Sequence, residues 1–231
     1  VASYQGTYRT IKDAVIDTLH LDATDDETRV GNEVNLAYQD VVQTTGCLQA
    51  TATATMTDGV SSYALPAAVA WIKELVVVYA DGTVSDPLTQ ISLDEMLGWR
   101  RTTLAVGQQT AQPSYALAGQ GQIEVWPTPG ADQTLQFWYV YLPDALTADG
   151  DEPVILEPYG SRLLMYGACV ELARFKKDPL LPDLEAQYGV WLGKFQAWMN
   201  FRQGSSPRSV RVIGTSLPLN RVWGALANDV G

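Results

Sequence analysis

The sequence predicts an α+β protein: a bundle of about four helices with an inserted small antiparallel β-sandwich or barrel, followed by an extended C-terminal arm. Three observations predict it. Apolar residues recur at spacings of three and four in residues 1–48 and again in 148–201; between them, over 49–147, the period falls to two; and after Phe201 neither period continues. The expected units are therefore 1–48, the first helices of the bundle; 49–147, a β-rich insertion with one short helix; 148–201, the last helices; and 202–231, the arm.

The first helix runs from a Thr7 cap to about Leu19, because Tyr8, Ile11, Val15, Ile16 and Leu19 fall on one face. In the second, Thr24 and Glu27 form a capping-box pattern, and Val30, Val34, Ala37, Tyr38, Val41 and Val42 carry the stripe to Gly46. Asp25, Asp26 and Glu27 fall in its first turn, where the helix dipole favours negative charge, so they are read as structural rather than as a metal site.

From Gln49, Thr51, Thr53, Thr55 and Thr57 alternate with Ala52, Ala54 and Met56, the pattern of a half-buried strand. Tyr63, Leu65 and Pro66 lead into an apolar strand over Trp71–Tyr79, closed by Asp81-Gly82. Ser92 and Glu95 cap a short helix with Leu93, Met96, Leu97 and Trp99. Gln108–Gln112 is a polar loop, and strands follow over 114–118, 122–126 and 134–141, joined by Gly119-Gln120-Gly121 and Pro127-Thr128-Pro129-Gly130.

A turn-rich return over 144–153 leads to a helix from Pro158 to about Lys176, with Leu163, Leu164, Tyr166, Val170, Leu172 and Phe175. Pro179 and Pro182 break the chain. The last helix, from about Asp183 to Phe201, carries Tyr188, Trp191, Leu192, Phe195, Trp198 and Met199. The arm has too few clustered apolar residues for a core and too many for a solvated linker, so it is expected to order on another surface. Arg208, Val210, Arg211, Val212, Ile213, Leu217, Arg221 and Trp223 are its candidate docking residues, and Ser209–Ile213 has the alternation of a strand that adds to a partner's sheet edge.

Composition bounds the function. With 231 residues, 46% hydrophobic and 18% charged, the chain is long enough for a sizeable core. Its formal charge is −11. Residues 202–231 hold four arginines against one aspartate, a local +3, which leaves −14 on residues 1–201. An acidic body repels phosphate and excludes an electrostatic grip on nucleic acid. Cys47 and Cys169, each in or beside an apolar helical stretch, are expected to be free thiols. No apolar run reaches membrane-helix length and Val1–Thr10 lacks a basic-then-apolar leader, so no membrane association and a cytoplasmic origin are expected.

No catalytic residue, metal or cofactor is assigned, and the chain is not expected to be an enzyme. His20 is the one histidine and sits at a helix end, where it reads as a C-terminal cation. Asp149, Asp151 and Glu152 lack a calcium-loop pattern and read as an acidic turn. Gly119-Gln120-Gly121 lies between strands without a following Gly-Lys-Ser/Thr, so it reads as a hairpin turn instead of a phosphate loop. Trp71, Trp126 and Trp138 would serve an alternative function, a carbohydrate-binding β-module with a helical framework, but their alternating strand context favours core or subunit contact.

The order of several short pieces resembles the head-to-tail adaptor, or connector, proteins of tailed bacteriophages. These pieces are Ser62-Tyr63-Ala64-Leu65-Pro66 with the strand to Tyr79-Ala80-Asp81-Gly82; Pro87-Leu88-Thr89 and the helix Leu93 to Trp99; and Pro113-Ser114-Tyr115-Ala116-Leu117 with the hairpin to Ile123-Glu124-Val125-Trp126-Pro127-Thr128-Pro129. Tyr139-Val140-Tyr141-Leu142-Pro143, Leu146-Thr147-Ala148-Asp149-Gly150-Asp151 and Tyr166-Gly167-Ala168 complete them. The resemblance spans roughly residues 8–200. It implies a structural virion protein at the capsid–tail junction, assembled in the host bacterial cytoplasm. It implies a closed ring, usually of twelve subunits, beneath the portal protein, with further neck or tail-completion proteins below. Genomic double-stranded DNA would pass through the bore without specific binding, and the C-terminal arm would reach the portal or a neighbour.

Overall fold

A computed structural model describes residues 6–66, 68–106, 113–119, 121–128, 133–155 and 159–202, the side chains of 23–25, 102–106 and 202 excepted. Its elements are α1 (Tyr8–Leu19), α2 (Ala23–Thr45), β1 (Gln49–Met56), β2 (Ser62–Ala64), β3 (Val69–Val78), β4 (Thr89–Gln90), α3 (Leu93–Val106), β5 (Ser114–Leu117), β6 (Gln122–Trp126), β7 (Gln133–Tyr141), α4 (Gly160–Lys176) and α5 (Leu181–Arg202). The α+β expectation holds. The chain divides into two compact units, Val1–Gln196 and Ala197–Gly231; of the second, only the end of α5 is described.

The stripes read from the sequence face each other. Tyr8, Ile11, Val15 and Leu19 of α1, Val30, Val34, Ala37, Tyr38, Val41 and Val42 of α2, and Leu163, Leu164, Ala168, Cys169 and Leu172 of α4 are all buried. α2 and α4 approach closely where Gly167 lies opposite Ala37: a Cβ on Gly167 would sit 2.9 Å from the Ala37 methyl. Both cysteines are free thiols, and burial pushes Cys169 up to about 12.

Thr7 caps α1, its hydroxyl oxygen accepting from the Thr10 N–H at 3.4 Å. His20 ends that helix in the left-handed region at φ 50°, a backbone role more often taken by glycine or asparagine. α2 starts at Ala23, one residue before the Thr24 expected to cap it. α5 likewise starts earlier than expected, at Leu181. Pro182 is tolerated there because first-turn N–H groups have no partner within the helix.

The β-rich stretch forms two sheets, ordered β1-β7-β3 and β2-β6-β5-β4, packed face to face around Met56, Tyr63, Leu75, Val77, Leu88, Tyr115, Ile123, Val125, Leu135 and Phe137. It is a sandwich with no closed barrel. One pair, β4 with β5, is parallel, and β2 and β4, three and two residues long, had no strand expectation. The expected short helix is fourteen residues. Ser92 caps it through the Glu95 N–H at 3.2 Å; it continues past Trp99 to Val106, with Arg100 reaching Glu124 on β6 at 2.6 Å. Gly119 and Gly121, both at positive φ, turn β5 into β6 as expected.

Candidate assembly surface

The return from the sandwich to α4 is fastened to α1 and α2 at several points. Asn35, on α2, makes a two-way contact with Leu146: its Nδ2 donates to the Leu146 carbonyl at 3.0 Å and its Oδ1 accepts from the Leu146 N–H at 2.8 Å. The carbonyls of Asp151 and Asp149 accept from the Tyr8 and Arg9 N–H groups, at 2.7 and 3.2 Å, and so satisfy donors that a helix start leaves free. The Tyr38 hydroxyl accepts from the Val154 N–H at 2.7 Å; burial pushes that phenol up to about 12. Lys12, with a side chain only 9% exposed, sits between Glu27 at 2.9 Å and Asp149 at 3.0 Å, with Nζ 4.7 Å from the Tyr8 ring centroid. The hydrogen bond to Glu27 holds its ammonium above the ordinary lysine range.

These contacts give the acidic turn and the first-turn acids of α2 their roles. Asp151 accepts from the Ala148 and Thr147 N–H groups at 2.8 and 2.7 Å, which holds its carboxyl below the usual range. Asp26 pairs with Lys176 at 2.8 Å, joining the negative start of α2 to the positive end of α4, and Arg29 lies over the Phe175 ring at 3.5 Å. Among the described residues no three His, Cys, Asp or Glu side chains are grouped to hold a metal.

Of the three tryptophans singled out in the β-rich stretch, Trp71 on β3 is 37% exposed and the other two are half-buried. Trp126 is half-buried, its Nε1 fully enclosed and without a partner, and it lines a recess of about 150 Å³ with Met56, Val77, Leu88, Val125 and Pro127. That is smaller than the usual ligand pocket of about 300–1,000 Å³. Trp138 is half-buried in the central strand β7, opposite Thr51 on one side and Glu74 on the other.

α5 is fastened to the body through Tyr188 with Asp40, Glu185 with Arg174 and the Tyr159 ring against Trp191 and Phe195, and presents an open side beyond these contacts. Its apolar residues are spread around the helix, yet over Leu181–Gln196 only Leu184 and Phe195 are buried. Val190 is 50% exposed, and a Cβ added at Gly189 or Gly193 would meet nothing within 4 Å. Trp191 is half-buried between two cations, Arg162 at 4.4 Å and Lys194 at 4.5 Å from its ring centroid. Neither cation pairs with a carboxylate among the described residues, so this is a basic spot on an acidic body. The expected docking residues Arg208, Val210, Arg211, Val212, Ile213, Leu217, Arg221 and Trp223 lie outside the described residues.

Compared with known families, the sequence matches the SU10 adaptor protein family over residues 6–212. The chain belongs to that family. The resemblance to head-to-tail adaptors read from its motifs is therefore borne out, and the adaptor is a structural protein by family. A solved structure titled "Neck of empty GTA particle computed with C6 symmetry" matches 88% of this chain and 91% of its own, at 15% identity and a TM-score of 0.28. No curated protein matches the sequence.

Sequence reasoning missed Lys12 and Asn35. Lys12 stands four residues after Tyr8 and three before Val15, on the apolar stripe itself, and a lone cation there signals a buried pair. Asn35, beside Val34 in mid-helix, is the corresponding signal for a buried amide that bonds outside its own helix.

Proposed function

We propose that the adaptor is the subunit of a closed ring, of about twelve copies by family resemblance, seated beneath the portal protein and joining the capsid to further neck and tail-completion proteins. The observation that carries this reading is α5: its apolar residues are not gathered on one face, and over Leu181–Gln196 the single chain buries only Leu184 and Phe195 and leaves Val190 half exposed. A neighbouring copy covers it, and the Arg162–Trp191–Lys194 stack meets that copy's acidic surface. Such a contact joins two different patches, so it is heterologous and propagates around an axis.

The net charge suits the bore of the ring. With −14 on residues 1–201, genomic DNA passes without adhering, its counterions still in place. The arm, through Arg208, Val210, Arg211, Val212, Ile213, Leu217, Arg221 and Trp223, docks on the portal or on a neighbouring subunit. Assembly takes place in the host bacterial cytoplasm and the product is a virion component.

The test is to mix full-length adaptor with isolated portal rings and image the product. A closed adaptor ring, coaxial with the portal and lost on Val190→Glu, is the expected result. A stable twofold dimer that never joins the portal would sink the reading.

A further inference from the structure

Four strands form the edges of the two sheets, and three are protected against pairing. β2 and β4 are three and two residues long. β3 carries two register breaks, one of them between Ile72 and Glu74, and its outer side is strapped by the following chain. In that strap the Ser85 and Leu88 N–H groups donate to the Val77 and Leu75 carbonyls, each at 2.8 Å, and the Ser85 hydroxyl accepts from the Val77 N–H at 2.9 Å.

β1 has none of these devices. Its eight residues pair with β7 in unbroken register and contain no charge, proline or glycine. Among the described residues the opposite side of the strand meets no strand or strap. Thr51, Thr53 and Thr55 are exposed, while Ala52 and Ala54 pack against the sandwich core yet stay only half-buried. An edge of that length and composition, left bare where the others are blunted, is a pairing template.

We propose that β1 accepts the Ser209–Ile213 segment of a neighbouring copy as an added strand. The segment has a matching period: Val210 and Val212 share one face and extend the Ala52–Ala54 side over the open margin of the core, while Ser209, Arg211 and Ile213 share the other and continue the threonine row. It also supplies partners for the unpaired backbone N–H and C=O groups of that edge. The six residues 203–208 between α5 and the segment can span up to roughly 20 Å, enough to leave the parent subunit. Pairing β1 with a second β1 would instead make a twofold, isologous contact, which cannot propagate around a ring. The proposal rests on the ring reading and makes strand exchange one of its subunit contacts.

The experiment uses full-length chains assembled on portal rings. Copies carrying Thr51→Cys, Thr53→Cys or Thr55→Cys are mixed with copies carrying Arg211→Cys, oxidised, and compared with the unsubstituted chain, whose Cys47 and Cys169 set the background. Facing side chains on neighbouring strands lie close enough to bridge at the correct register. A mixed disulfide dimer at one of the three positions, lost when Val212→Asp is added to the Arg211→Cys copy, is the expected result. The proposal is overturned by dimers of the threonine-position variants alone, which would mean β1 paired with β1. It is equally overturned by a disulfide confined within one doubly substituted chain, or by rings that form with no disulfide at any position. In that last outcome the ring reading survives; if no ring forms on the portal, both fall.

Discussion

α4 and α5 are neighbours in sequence, seventeen and twenty-two residues long, and both rich in apolar side chains, yet they do opposite things. α4 buries Leu163, Leu164, Ala168, Cys169, Val170, Leu172 and Ala173 against α1 and α2. α5, over Leu181–Gln196, buries two side chains and leaves Val190 half in water. Apolar content alone therefore does not say whether a helix builds the core. What separates the two is partners: α4 sits between helices with matching stripes, whereas α5 has one packed side and an open one.

The largest effect should come from cutting into α4. Leu164→Ala removes a fully buried side chain from α4 and should cost about 2–5 kcal/mol, read as a lower urea midpoint at unchanged slope. Val190→Glu on α5 should stay within about 0.5 kcal/mol in the same measurement, because its surroundings are already wet. If the two variants lose comparable stability, α5 is core and the contrast between the helices collapses.

A second comparison, smaller in size, lies in the joint around Lys12. The cation is enclosed, but Glu27 and Asp149 keep side-chain exposures of 60% and 54%. Lys12→Met leaves carboxylates that water still solvates and should cost about 1 kcal/mol or less. Glu27→Gln with Asp149→Asn leaves the enclosed ammonium facing only neutral amides and the Tyr8 ring, and should cost more, about 2–3 kcal/mol. The raised pKa gives the pH sign. The stabilisation is complete below the ordinary lysine range and is lost as pH rises through the folded value, so Lys12→Met should flatten the alkaline fall in stability. A larger loss from Lys12→Met than from the double variant would show that the pair, and not the burial of one member, holds the joint.

Much of this was legible in the sequence, and the rest failed for identifiable reasons. The stripes of α1, α2 and α4 each run long enough to show a 3.6-residue period, and β1, β6 and β7 long enough to show a period of two. β2 and β4 are too short to carry any period. The second half of α3 opens with four polar residues, Arg100 to Thr103, which interrupt the apolar pattern, and the contact of Arg100 with Glu124 spans 24 residues. The bare edge of β1 was unreadable for a different reason. Its threonine–alanine alternation was plain, but that it pairs with β7, 133–141, and among the described residues with no other strand depends on strand order, which is non-local. The clamp on Leu146 depends on Asn35, 111 residues earlier, and period analysis sees only that Asn35 is polar.

The smallest effect is expected at Asp151, and it refines the picture of the joint by separating charge from shape. Its carboxylate accepts from the Ala148 and Thr147 N–H groups and sits below its usual range, although it is exposed to water. A depressed carboxyl stabilises the fold above its unfolded value, near about pH 3.9, and that contribution disappears as pH falls through the lower, folded value. Asp151→Asn keeps an acceptor oxygen in place and removes only the charge. Melting temperatures measured from neutral pH down to strongly acidic pH should therefore show the variant modestly less stable at neutrality, with the gap closing once the native carboxyl is protonated. A gap of constant size across the whole range would mean that the substitution disturbs the turn itself. In that case the carbonyls of Asp149 and Asp151, which cap the start of α1, would be displaced, and Tyr8 and Arg9 amide exchange would rise together.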